Sequence, residues 1–79
     1  MDINDAIKKR IFDLATEHGY STYHLSLDSG IPLTTLKYIQ TGKIKSVKPL
    51  HLLKLCNTFN ISLAEFFDCA YFVDLDVED

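Results

Sequence analysis

Lys37, Lys43, Lys45, Lys48 and Lys54 stand in a stretch with no acidic residue between Asp28 and Glu65. Ammonium groups without counter-charges in the same segment create a local positive field. Such a field steers an anion whatever the charge of the whole chain. The whole chain carries −3, yet Asp68, Asp74, Asp76, Glu78 and Asp79, five of its eleven acids, crowd at the end. Without residues 68–79, eight bases face six acids, a balance of +2. The middle of the chain is a basic zone and the tail is acidic.

Groups able to do covalent or metal chemistry are scattered instead. His18, His24 and His51 lie far apart, and His18 and His24 fall near expected helix ends. His51 and Cys56 are five apart, which puts them on different faces of a helix, whereas a metal site needs several ligands at coherent spacing. No nucleophile–base or carboxylate pair is evident, and no glycine-rich phosphate loop is present. An enzyme is therefore not expected, nor a cofactor, nor a small-molecule ligand. Cys56 sits among apolar residues and reads as a small core residue. Nothing marks a secretory context, so Cys56 and Cys69 are not read as a disulfide. The start, MDINDAIKKR, is charged and lacks an apolar signal core. No stretch approaches the ~18 apolar residues of a membrane span. A cytoplasmic protein with no membrane partner is the expectation. A chain of 79 residues makes one domain and buries only about 60% of its unfolded surface, so the surface must carry the function.

The elements that must position the lysines follow from periodicity and end signals. Ile7, Ile11, Leu14 and Ala15 form an i, i+4, i+7, i+8 stripe, which predicts a first helix from about Ile3 to His18. Ser21 caps a second helix, with Tyr20 and Leu25 as its staple, ending near Asp28 or Ser29. Pro32 opens a third helix that runs to Gln40 or Thr41, with Leu36 and Ile39 inward. A fourth runs from about Pro49 to Phe59 on Leu52, Leu55, Cys56 and Phe59. Ser62-Leu63-Ala64-Glu65 reads as a capping box for a fifth, stapled by Ile61 and Phe66, with Leu63, Phe66, Phe67 and Ala70 inward. Gly19, Gly30 and Gly42 each close one of these segments, where a residue with φ > 0 is favoured. From Val73 apolar and acidic residues alternate, which suits a half-buried strand. A frayed acidic tail is an equal reading of the same residues.

Two phrases then resemble the Cro/phage-repressor (XRE) helix-turn-helix family. One is Gly30-Ile31-Pro32-Leu33-Thr34-Thr35-Leu36-Lys37-Tyr38-Ile39-Gln40-Thr41-Gly42-Lys43. The other is Leu53-Lys54-Leu55-Cys56-Asn57-Thr58-Phe59-Asn60-Ile61-Ser62-Leu63-Ala64-Glu65-Phe66-Phe67. The likeness covers roughly residues 3 to 68. It implies an all-α, five-helix lambda-repressor-like fold for residues 1–68, followed by an acidic C-terminal extension over 69–79. The second helix would span about 22–28 and the third, about 32–40, would lie in the major groove of double-stranded DNA. Ser26 falls where the family has a small residue, and Gly30 at the turn. Ala15 and Gln40 stand where the family often pairs an arginine with a glutamate; both charges are missing together, so none is stranded. Leu27 takes a position that is usually polar and exposed.

On this resemblance the base-reading residues are Leu33, Thr34, Lys37 and Tyr38. Leu33 and the Thr34 methyl suit thymine methyls, Lys37 suits guanine O6 or N7, and Tyr38 suits a base or a phosphate. Phosphate contacts are expected from Thr22 at the start of the second helix and from Lys43, Lys45 and Lys48 in the loop after Gly42. The third helix has no arginine, so part of the selectivity is expected from DNA shape. A homodimer is expected, since one monomer of this type covers a half-site. Its pairing surface would be the C-terminal segment, where Tyr71, Phe72, Val73, Leu75 and Val77 are left over, as a strand beside its copy, unless that segment folds back on its own helices or stays loose. The rival reading is a protein-interaction module or antitoxin on the same fold, which the net acidity favours slightly.

Overall fold

The computed structural model describes residues 1–77. Five α-helices follow one another: α1 (Ile3–Glu17), α2 (Thr22–Ser29), α3 (Leu33–Thr41), α4 (Pro49–Phe59) and α5 (Leu63–Phe67). Their starts are chemically distinct. Asp2, Ser21 and Ser62 each accept a backbone N–H of the first turn, which satisfies donors the helix itself leaves unpaired. At α5 the capping box closes both ways, Glu65 accepting from the Ser62 N–H at 3.0 Å. Pro49 opens α4 as expected. Pro32 does not open α3: it takes the cap position, with ψ 138, and Leu33 is the first helical residue. Asn60 ends α4 in the left-handed region at φ 58, a role that no glycine signalled.

The core draws on all five helices. Ile11, Leu14 and Ala15 of α1 and Leu25 of α2 meet Leu36 of α3, Leu52, Leu55, Cys56 and Phe59 of α4, and Phe66 of α5. Burial raises the Cys56 thiol above its ordinary range, consistent with an inert core position. In α5 only Phe66 turns inward; Leu63, Phe67 and Ala70 are exposed. A helix of five residues has barely more than one turn, so its apolar stripe has no length over which to form. Arg10 instead fixes α5 from across the molecule, donating to the carbonyls of Phe66 at 2.8 Å and Glu65 at 3.0 Å. The Glu65 carbonyl also accepts from the Asp68 N–H at 3.3 Å; carbonyls in a helix's last turn lack partners further along the helix, and a cation there is favoured.

The strand considered for residues 73–77 is not formed: among the described residues there is no strand. Nor is the segment frayed. A 3-10 turn, Ala70–Phe72, packs on α1. The Tyr71 hydroxyl donates to Asp13, and Lys9 lies over the Tyr71 ring at 5.0 Å. Phe72 sits edge-on to Phe67 with centroids 4.8 Å apart. Further on, the Asp76 N–H donates to the Met1 carbonyl at 3.1 Å, and the Met1 ammonium pairs with the Asp76 carboxylate at 2.8 Å. Met1, just ahead of α1, thus takes one backbone N–H that a strand partner was expected to take. Glu78 and Asp79 lie outside the described residues.

Two outcomes follow. Phe66→Ala should cost about 3–5 kcal/mol, because a fully buried ring leaves a cavity that a small domain fills poorly; urea unfolding measures it, and a negligible shift would show the ring to be unburied. The Asp76 carboxyl is held below its ordinary range chiefly by the hydrogen bond from the Met1 ammonium, and that bond holds the ammonium above its own range. The carboxylate's contribution is lost as pH falls through its lowered value, and the ammonium's as pH rises through its raised value. The tail contact therefore spans the neutral range, and the Asp76 amide resonance should shift only at the acid and alkaline ends.

Candidate nucleic-acid interface

The turn between α2 and α3 is built from three short contacts. Gly30 sits at φ 75, a conformation costly for side chains with a Cβ, and its N–H reaches the Ser26 carbonyl at 3.0 Å. The Ser26 hydroxyl donates to the Ile31 carbonyl at 2.6 Å, and the Ile31 N–H donates to Ser29 Oγ at 3.2 Å. Ile31 is buried and pins the turn to the core. The small residue at position 26 therefore does more than allow close packing: its hydroxyl closes the turn.

Buried Leu36 and Ile39 fix which side of α3 faces out. Thr34, Lys37 and Tyr38 are exposed, Tyr38 at 38%, and Leu33 is half-buried, so only part of its side chain is free for contact. These four residues share one exposed side of a nine-residue helix. After α3, Gly42 at φ 84 reverses the chain, and the Ile44 N–H returns to the Tyr38 carbonyl at 3.0 Å. That reversal brings the Lys43 ammonium to 4.4 Å from the centre of the Tyr38 ring.

The other residues expected at the interface are placed less uniformly. Thr22 is the first residue of α2, half-buried, and its hydroxyl donates to Gln40 Oε1 at 3.4 Å. This contact bridges α2 and α3, and Ala15 is buried without any charge to satisfy. Lys45 is exposed and lines a hollow shared with Asp2, Asp5 and Lys8. Lys48 is exposed at the cap of α4. His51, half-buried, has its imidazole pushed below its ordinary range by burial, and further by Lys48 and Lys54. Two features escaped the sequence reading: the Tyr38–Lys43 stacking, for which the Gly42 turn was the available signal, and the Thr22–Gln40 link. Among the described residues no group of three or more His, Cys, Asp or Glu is arranged to hold a metal ion.

A family model, that of the Cro/C1-type HTH DNA-binding domain, matches residues 10–70. The chain belongs to that family. Comparison with curated proteins and with solved structures returns no match. The Cro/C1-type fold is a DNA-binding one of the kind found in transcriptional regulators, and it agrees with the five helices and with the α2–turn–α3 unit. No helix of the described residues is long and apolar enough to cross a membrane.

The turn generates a stability expectation. Ser26→Ala removes the donor from a part-buried carbonyl and should cost about 1–3 kcal/mol in equilibrium unfolding. An unchanged midpoint would show that water replaces the hydroxyl without loss.

Proposed function

We propose that this Cro/C1-type domain is a sequence-specific regulator that binds operator DNA with α3 in the major groove. The observation that carries the reading is the outward side of α3: Thr34, Lys37 and Tyr38 exposed beside Leu33, on a helix whose other side is locked in the core. A nine-residue helix of this kind fits the major groove, and these side chains match its chemistry. The Leu33 and Thr34 methyl groups meet thymine methyls, Lys37 donates to guanine O6 or N7, and Tyr38 donates to a base edge or a phosphate. The Thr22 backbone N–H at the start of α2, Lys45 and Lys48 contact phosphates on either side. Lys43 borders both sets, since its ammonium lies on the Tyr38 ring.

Two copies on half-sites about 34 Å apart complete the operator complex, which raises affinity through the high effective concentration of the second head. With the tail folded on α1, the pairing surface lies elsewhere than a residue 73–77 strand.

The test is selection of bound duplexes from a random pool at low salt, followed by sequencing. An enriched motif with two-fold symmetry is the expected result. No retention of any duplex would replace the reading with a protein-interaction module or antitoxin. Replacing Lys45 and Lys48 together by alanine should weaken binding to all sequences alike. It should also flatten the slope of log affinity against log salt by roughly 2.

A further inference from the structure

We propose that Tyr38 and Lys43 read the same base step as one unit, so that Lys43 is a specificity-determining residue and not a separate phosphate anchor. The assignment rests on the DNA-binding reading above and deepens it. Lys43 is the first residue after the Gly42 reversal, and the reversal is held by two backbone bonds. The Gly42 N–H donates to the Ile39 carbonyl at 3.2 Å and the Ile44 N–H to the Tyr38 carbonyl at 3.0 Å. The second of these ties the loop to the residue whose ring Lys43 covers. The Lys43 ammonium, 4.4 Å from the ring centre, lies well within the range of cation–π attraction. A lysine on a free loop samples many positions, whereas this one has a preferred seat at the C-terminal end of the exposed side of α3.

The seat supplies what α3 lacks. The helix has no arginine and so no planar fork for two acceptors on a base edge. Tyr38 and Lys43 together offer a phenol O–H and an ammonium, two donors from neighbouring points held by one ring. The major-groove edge that presents two acceptors is that of guanine, through O6 and N7. The pair is therefore expected to select a G·C base pair or two adjacent ones.

The experiment compares motifs selected from a random pool by the wild type, Tyr38→Ala, Lys43→Ala, Lys43→Arg and the Tyr38→Ala/Lys43→Ala double variant, with affinities measured on the preferred and on random duplexes. Tyr38→Ala and Lys43→Ala are expected to lose guanine preference at the same position. The double variant should bind less weakly than the product of the single losses by about two- to five-fold, the worth of an exposed cation–π contact. Lys43→Arg, which keeps a cation for the ring, should retain the preference. Tyr38→Phe keeps the ring, so Lys43→Ala in that background should still cost what it costs in the wild type. Uniform loss on all duplexes with independent effects would overturn the assignment and return Lys43 to the phosphate class, leaving the DNA reading intact. Failure of the wild type to bind any duplex would overturn both. Circular dichroism of each variant separates these outcomes from misfolding, since both residues are exposed.

Discussion

The angle between α2 and α3 is held first at their turn, where the Ser26 hydroxyl reaches the Ile31 carbonyl across the left-handed Gly30. A recognition helix needs an outward side that does not roll. Leu36 and Ile39 set the roll by burial, and the closed turn sets the tilt. Ile31 joins the two constraints, since it is both the hydrogen-bond acceptor and a buried anchor. Neither constraint alone would fix the exposed side, because burial permits sliding and a turn permits rotation.

The remaining helices serve that arrangement by distributing the core. α1 and α4 back the α2–α3 unit, while α5 is too short to dock by its own apolar stripe and depends on Phe66 and on Arg10. Arg10 ties the first helix to the fifth, residues far apart in sequence. Tyr71, Phe72 and Asp76 then tie the tail to α1 as well. The acidic end is thereby turned toward the start of α1, beside Asp2 and Asn4, and its apolar residues are partly used within the monomer.

Much of this was legible in the residues. Capping serines, glycines and apolar stripes are local signals, and they located all five helix starts and the ends of the first four to within a residue or so, whereas α5 stops at Phe67, short of the Ala70 its stripe was expected to reach. The outward set on α3 was legible for the same reason, since the inward pair determines its complement. What was not legible depends on contacts between segments distant in sequence. Alternation from Val73 is compatible with a strand, but the choice between a strand and a fold-back lies with Asp13, Lys9 and Met1 at the other end of the chain. The Arg10 clamp is invisible for the same reason. Leu63 and Phe67 have helical spacing and remain exposed because periodicity says nothing about helix length available for packing. The Lys43 seat depends on a backbone reversal whose direction only the folded chain reveals.

Thr22 and Gln40 join α2 to α3 through a neutral hydroxyl and a neutral amide. Among the described residues the one ion pair is Met1 with Asp76, away from that junction. Dissolved ions screen charges and leave neutral dipoles almost untouched. The α2–α3 junction is therefore not loosened by charge screening as ionic strength changes, while the lysines on the protein's surface do not keep their reach. The salt dependence of binding is for that reason read at the lysines and not at the α2–α3 junction.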